Sequence, residues 1–252
     1  MKQAIVTGAS KGLGAGIAYH LLMEGINIVD LSRSGNTEIK ALAEKKSLTY
    51  KHEAIDISST QQTLQFFESW FNNLKDDRPE ELYLIHNAGT VDPIDTVGHL
   101  DPNSVERSVH LNYITPMVVT NLAFKRSSEL DISLIVVNIT SGAADKPNHG
   151  WSVYGSTKAG LNLFTETAAL EQKEKQTRHT IISFSPSIMD TEMQQVIRSS
   201  SESAFSQVSR FQKYKDKGEL RQPNDVGKAL VTLLMNEPLE NGKLYHINDL
   251  LP

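Results

Sequence analysis

What most restricts this chain is the way its apolar residues are grouped. Gln3–Thr7, Asn27–Leu31, Leu82–His86, Ser133–Thr140, Thr180–Ser185 and Lys243–Ile247 are short and mostly apolar without a break, and Leu48–Ile55 is a weaker run of the same kind. A strand that is apolar on both faces must be covered on both faces, as strands inside a parallel sheet are. The stretches between the runs have helical spacing. Leu13–Glu24 carries Leu13, Ile17, Leu21 and Leu22, with Gly25 where a helix stop is expected. Ser59–Leu74 opens on serines able to cap it and presents Leu64, Phe67, Trp70 and Phe71. Asp101-Pro102 is a cap followed by proline at the first helical position, opening a helix Pro102–Ser128. Ser152–Lys175 and Asn224–Asn236 complete the series. Strand–helix–strand repetition implies parallel pairing through right-handed crossovers. The expected fold is therefore α/β, a doubly wound, mostly parallel sheet. No linker and no tandem repeat interrupts residues 1–252, so a single domain is expected.

Composition removes several classes of function. With 25 Lys+Arg against 30 Asp+Glu the formal charge is −5, which does not suit a nucleic-acid or anionic-membrane partner. The chain has no cysteine, which excludes disulfides, thiolate metal sites and a cysteine nucleophile. No apolar run approaches the ~20 residues that cross a bilayer, and Met1-Lys2-Gln3 leads straight into the first strand without a signal-peptide core. The eight histidines show no metal-ligand spacing, so no metal is expected. A soluble cytoplasmic protein is the expectation. One segment breaks the rhythm: Asp190–Arg221 is polar and long, as a lid over a binding site is.

The first strand runs directly into Thr7-Gly8-Ala9-Ser10-Lys11-Gly12-Leu13-Gly14. Three glycines permit a tight turn and let backbone approach a diphosphate, and the helix that follows presents free N–H groups and its positive end. The second strand ends in Ser32-Arg33, 18 and 19 residues beyond Gly14, where a dinucleotide fold selects its cofactor. Arg33, with Lys11 in the turn, would receive a 2′-phosphate, so NADPH is expected over NADH. Asp30 is read as lying inside the strand.

Tyr154 and Lys158 stand four residues apart on one helix face. A nearby ammonium and the positive nicotinamide ring together would bring a phenol's pKa down from ~10 towards working range, which makes Tyr154 a candidate proton donor to a carbonyl oxygen. Ser141 closes the fifth candidate strand at the sheet's carboxyl edge and can orient that carbonyl, or it simply caps a turn. Asn112 lies four residues before Pro116, whose missing N–H frees the Asn112 carbonyl to hold a relay water, unless the proline only kinks the helix.

Thr7-Gly8-x3-Gly12-x-Gly14, Asp56, Asn87-Ala88-Gly89, Asn112, Ser141, Tyr154, Lys158 and Pro186…Thr191, in that order, resemble a short-chain dehydrogenase/reductase along the whole chain. The resemblance implies a Rossmann fold and a homodimer paired through the two long helices. It implies that Asp56 and Ile57 bracket the adenine, that Asn87-Ala88-Gly89 lies beneath the cofactor, and that Pro186, Ile188 and Thr191 meet the nicotinamide carboxamide. The family's usual Pro-Gly is Pro186-Ser187 here. Gly150-Trp151-x-x-Tyr154, Asp190-Thr191-Glu192-Met193-Gln194-Gln195 and Lys215…Leu220 are similar to the sepiapterin reductase branch, which includes bacterial benzil reductases. Where that branch anchors a pterin with an acid, alignment on Gly242 gives His246, with Asp249 close by; His149 is read as a solvent-exposed loop residue, with pocket lining as the alternative. Trp151, Met189 and Met193 would form an apolar pocket wall. The implied activity is reduction of a small 1,2-diketone, with pterin reduction, or NADP sensing without chemistry, as the alternatives.

Overall fold

The computed structural model describes residues 1–74, 78–236 and 238–251. In chain order the elements are β1 (Lys2–Thr7), α1 (Gly12–Met23), β2 (Asn27–Ser32), α2 (Thr37–Lys45), β3 (Tyr50–Ala54), α3 (Thr60–Asn73), β4 (Glu81–His86), α4 (Pro102–Val109), α5 (Thr115–Glu129), β5 (Ser133–Ile139), α6 (Ser152–Glu174), β6 (Thr180–Ser185), α7 (Glu192–Arg198), α8 (Val208–Asp216), α9 (Pro223–Asn236), β7 (Leu244–His246) and α10 (Ile247–Leu250). The seven strands form one parallel sheet in the order β3-β2-β1-β4-β5-β6-β7. This is the Rossmann-like arrangement that the apolar runs predict. The direction of winding reverses between β1 and β4, and a crevice opens at the carboxyl ends of strands at such a switch point.

Successive residues of each strand feed opposite faces. Ala4, Val6, Ile28, Ile85, Val137 and Phe184 pack against Ile17 and Leu21 of α1 and Leu230 and Leu233 of α9. Ile5, Val29, Leu84, Leu134 and Val136 pack on the other face against Phe67 and Phe71 of α3, Val119 of α5 and Ala168 of α6. Covering both faces is why the runs are unbroken rather than alternating. Glycines bring α1 and α9 together: a Cβ on Gly16 would sit 2.8 Å from the Pro223 carbonyl oxygen.

The structure departs from the sequence expectations in three places. The helix predicted over Pro102–Ser128 is two helices joined by a π-helical turn at His110–Ile114, where the Thr115 N–H reaches the His110 carbonyl. Pro116 has no N–H for the ordinary ladder, and a π turn shifts the pattern just ahead of it. The helix α2 was not anticipated, although Asn36 caps it by accepting the Ile39 N–H at 3.0 Å. The lid Asp190–Arg221 contains α7 and α8, and it buries Ile197, Phe205, Val208 and Phe211 in a third apolar cluster with Trp151 and Tyr154. No helix among the described residues is long and apolar enough to cross a membrane.

Candidate active site

One cleft runs along the carboxyl edge of the sheet, from the β1–α1 turn to His246 and Asn248. Its first wall is the glycine turn. Gly8 and Gly12 take φ of +71° and +56°, and a Cβ on Gly14 would lie 2.1 Å from the Gly8 carbonyl oxygen. Asn87 holds the turn by donating from Nδ2 to the carbonyls of Thr7 (3.0 Å) and Gly8 (3.1 Å). The Thr7 hydroxyl accepts the N–H groups of Asn87 and Ala88, each at 3.0 Å. The start of α1 has no side-chain cap and no acid in its first turn, so its N–H groups and positive end face the cleft uncompensated. Ser10 and Leu13 line the same wall. This cradle fits a diphosphate, because the uncapped start of α1 presents free N–H groups to it and Gly8 and Gly12 put no side chain in the cleft they line.

At the adenosine end, Ser32 is buried while Arg33 is exposed, and both line the cleft. Lys11, expected beside Arg33, instead pairs its ammonium with Glu192 at the start of α7, an acid that arrives from the lid. Asp56 accepts from the backbone N–H (3.0 Å) and hydroxyl (2.7 Å) of Ser58, and Arg107 lies 3.3 Å away. Burial works to raise the Asp56 carboxyl. Ser58's hydrogen bonds and the Arg107 and Arg33 guanidinium groups outweigh it and hold the group below the usual carboxylate range. Ile57, largely buried, lines the cleft with Asp56.

At the cleft floor, α6 brings Tyr154 and Lys158 side by side, both almost fully buried. The Lys158 ammonium donates to the Ile139 carbonyl at 2.7 Å and lies 6.0 Å from the Tyr154 ring centre. Burial lowers it to about 8. The Tyr154 phenol is pushed up by burial, opposed by a hydrogen bond from Ser141. Desolvation is the larger of the two, and Lys158 is not among the groups that shift the phenol. Ser141 ends β5, and its hydroxyl accepts the Ala143 N–H at 3.2 Å. Asn112 lies in the π turn. Its side chain clamps Thr90, accepting the N–H at 2.9 Å and donating to the carbonyl at 2.8 Å. A Cβ on Gly89 would sit 3.1 Å from Asn112 Oδ1 and 3.6 Å from the Lys158 ammonium, so these three segments meet. Under them His86 is buried, with Nε2 3.1 Å from the Thr120 hydroxyl. Burial, and then the Lys158 charge, lower it to about 3.

The family described as short chain dehydrogenase matches residues 2–202. The chain belongs to the short-chain dehydrogenase/reductase family. Such enzymes move reducing equivalents between carbonyl and hydroxyl groups with nicotinamide cofactors. Over 251 residues the chain is 41% identical to benzil reductase ((S)-benzoin forming) of Bacillus subtilis (strain 168), covering 100% of both. It is 29% identical to the sepiapterin reductase of Bos taurus, covering 94% of this chain and 91% of that one. Among solved structures, the KRED1-Pglu enzyme matches with a TM-score of 0.81 and 27% identity, covering 97% of this chain and all of that one.

The remaining sequence candidates sort by position in this short-chain dehydrogenase/reductase. Ser187, in the family's glycine position, has φ +59°, so the turn does require the left-handed conformation that glycine adopts more easily. The lid is anchored next to it: the Asp190 N–H donates to the Arg221 carbonyl (3.0 Å) and the Arg221 N–H to the Ile188 carbonyl (3.1 Å). Pro186 and Ile188 line the cleft, and Thr191 caps α7. Trp151 stacks on Phe205 at 4.6 Å and meets Tyr154 edge-on at 5.6 Å. Met189 and Met193 both line the cleft with Trp151; Met193 packs with the Trp151 cluster and Met189 backs onto the core containing α1 and α9. His149 faces the lid rather than the cleft, accepting the Ser206 N–H at 3.2 Å. His246 lines the cleft; Asp249 is exposed outside it.

Sequence reasoning missed Phe211, which lines the cleft and meets Trp151 edge-on at 5.5 Å. Its signal was two phenylalanines, Phe205 and Phe211, inside an otherwise polar stretch. It also missed Thr90, whose neighbour Asn112 is 22 residues away.

Proposed function

We propose that this protein is an NADPH-dependent carbonyl reductase that takes a small 1,2-diketone such as benzil to an (S)-hydroxyketone. The observation that carries the reading is the 41% identity with a benzil reductase along the entire length of both chains. When bound, the nicotinamide supplies the hydride that adds to the carbonyl carbon. Ser141 donates to the carbonyl oxygen and orients it. Tyr154 gives its phenolic proton to that oxygen as negative charge develops. Lys158 holds the nicotinamide ribose, and its ammonium stabilises the phenolate left behind. Asn112 maintains the proton path from Lys158 to solvent. Gly8, Ser10, Gly12, Leu13 and Gly14 hold the diphosphate, Asp56 and Ile57 the adenine, Asn87, Ala88 and Gly89 the underside of the cofactor, and Pro186, Ile188 and Thr191 the carboxamide. Arg33 is the main 2′-phosphate ligand. Lys11 contributes less, because Glu192 already neutralises it. Trp151, Met193 and Met189 contact the substrate.

Pterin reduction is the second reading, and it is disfavoured because His246 stands where a carboxylate would accept a pterin's N–H donors. A desolvated, unpaired donor costs ~1–3 kcal/mol. We further propose a cytoplasmic homodimer, consistent with Leu163 and Leu170 being 65% and 56% exposed on α6. The test is a substrate panel of benzil, an aliphatic 1,2-diketone and sepiapterin with NADPH and with NADH, followed by loss of reduced-cofactor absorbance. A higher kcat/KM for sepiapterin than for benzil overturns the diketone reading.

A further inference from the structure

The loop that follows β2, Ser32 to Asn36, is tied to the phosphate turn through Asp30, Tyr50 and Asn36, which have no part in the function proposed above. Asp30 is completely buried in β2. One of its carboxylate oxygens accepts the Ala9 N–H at 3.2 Å, and the other accepts the Tyr50 hydroxyl at 2.7 Å. That hydroxyl in turn accepts the Asn36 N–H at 2.8 Å. The Asn36 side chain closes the circuit by donating from Nδ2 to the Ser10 carbonyl at 2.9 Å. The loop is thus bonded twice to the phosphate turn, once directly and once through Tyr50 and Asp30. Two further contacts shape it: the Ser32 hydroxyl donates to the Ser34 carbonyl at 3.0 Å, and His52 Nε2 lies 3.0 Å from the Ser32 carbonyl.

Tyr50 stands on β3, and it is not among the residues lining the cleft. Its hydroxyl bridges a buried carboxylate and a loop N–H; removing it leaves the Asn36 N–H and one Asp30 oxygen without this partner, while the other Asp30 oxygen keeps the Ala9 N–H. Burial and the Asp30 carboxylate raise the phenol, so it stays protonated and keeps donating throughout the neutral range.

We propose that Tyr50 and Asp30 are positioning residues for nucleotide selection: they set the 2′-phosphate loop at a fixed distance from the diphosphate turn. The proposal rests on the reading that the protein prefers NADPH. Both cofactors carry the diphosphate, and only NADPH reaches Ser32 and Arg33 with a phosphate. Freeing the loop while leaving the turn intact therefore weakens NADPH selectively. Tyr50→Phe does this, because the Asp30–Ala9 bond survives. Asn36→Ala, which cuts the direct bond to Ser10 and also removes the cap of α2, is a second variant that leaves the Tyr50–Asp30 bond in place.

The experiment is titration of NADPH and of NADH into wild type, Tyr50→Phe and Asn36→Ala, monitored by reduced-nicotinamide fluorescence, together with kcat and KM on a diketone. Loss of one hydrogen-bond tie should raise the NADPH dissociation constant roughly tenfold. The NADH constant should stay within about twofold, and kcat at saturating NADPH should be retained, since neither residue reaches Tyr154 or Lys158. Equal weakening of both cofactors in both variants reveals a merely structural role and overturns the proposal, as does an unchanged ratio. A wild type without NADPH preference refutes the cofactor reading and the proposal together. A wild type with a preference that both variants keep refutes only the positioning role.

Discussion

A methyl group at position 14 probes the phosphate turn directly. In Gly14→Ala the new carbon would stand 2.1 Å from the Gly8 carbonyl oxygen and 2.5 Å from Asn87 Nδ2. Ordinary contact begins near 3.4 Å, so the turn must retreat by about 1.3 Å. The atoms in its way are backbone and the amide that holds that backbone, neither of which can swing aside as a flexible side chain does. The Asn87–Gly8 bond of 3.1 Å is the first to break. Overpacking costs ~1–3 kcal/mol and a lost hydrogen bond about 1 kcal/mol, so stability should fall by about 2–4 kcal/mol. A displacement of this size also spoils the alignment of the N–H groups at the start of α1, and on the scale on which 1 Å costs ~100-fold, NADPH affinity should fall by about that factor. Urea unfolding monitored by tryptophan fluorescence gives the first number, and NADPH titration the second. Gly25→Ala is the control: its φ is +78° but nothing lies within 4 Å of the new carbon, so it should cost only strain, ~1–2 kcal/mol, and leave NADPH binding alone. If Gly14→Ala is as stable as wild type and binds NADPH within twofold, crowding at the turn is not what makes glycine necessary there.

Tyr154→Phe keeps the ring and deletes the proton; carbonyl reduction should fall ~10²–10⁴-fold with NADPH binding retained, and turnover within a few-fold of wild type would show that another group supplies the proton. Arg33→Ala should lower the ratio of kcat/KM for NADPH over NADH more than Lys11→Ala, because Lys11 is paired with Glu192; a double variant with the wild-type ratio removes both from the 2′-phosphate site. Lys158, lowered to about 8, loses its ammonium as pH rises through that value, so NADPH affinity of the free enzyme should weaken above pH 8. Lys158→Arg, charged throughout, should abolish that limb, and a flat wild-type profile from pH 7 to 9 counts against the assignment. His86, ordinarily near 6.5, is lowered to about 3 in the fold. The unfolded chain therefore takes up a proton that the folded one refuses, and the stability this residue contributes above pH 6.5 drains away as pH falls towards 3, by at most ~1.4 kcal/mol per pH unit. His86→Gln should flatten that decline in denaturant midpoints; identical slopes for the two proteins would refute the assignment.

The amino-acid order by itself determined whatever depends on a few consecutive residues. The unbroken apolar runs set the two-faced strands, and Asp101-Pro102 set a helix start, with Asp101 accepting the Ser104 N–H at 2.8 Å. The three glycines set the turn, and the four-residue interval put Tyr154 and Lys158 on one helix face. Contacts within one helical turn or one tight loop follow from backbone geometry alone. Tertiary structure decided the rest. Lys11 and Glu192 are 181 residues apart, and only the folding of the lid over the turn makes them partners. Asp30 was legible as a buried strand residue, but its partner Tyr50 depends on β2 and β3 lying in register, with Ile28 opposite Tyr50. The lid's polar composition hid the aromatic cluster of Phe205 and Phe211, because a few buried residues scattered through a long polar segment leave no periodic trace. Burial raises the Tyr154 phenol against the hydrogen bond from Ser141. Desolvation depends on every chain segment that closes over a group, and sequence spacing carries no record of those segments.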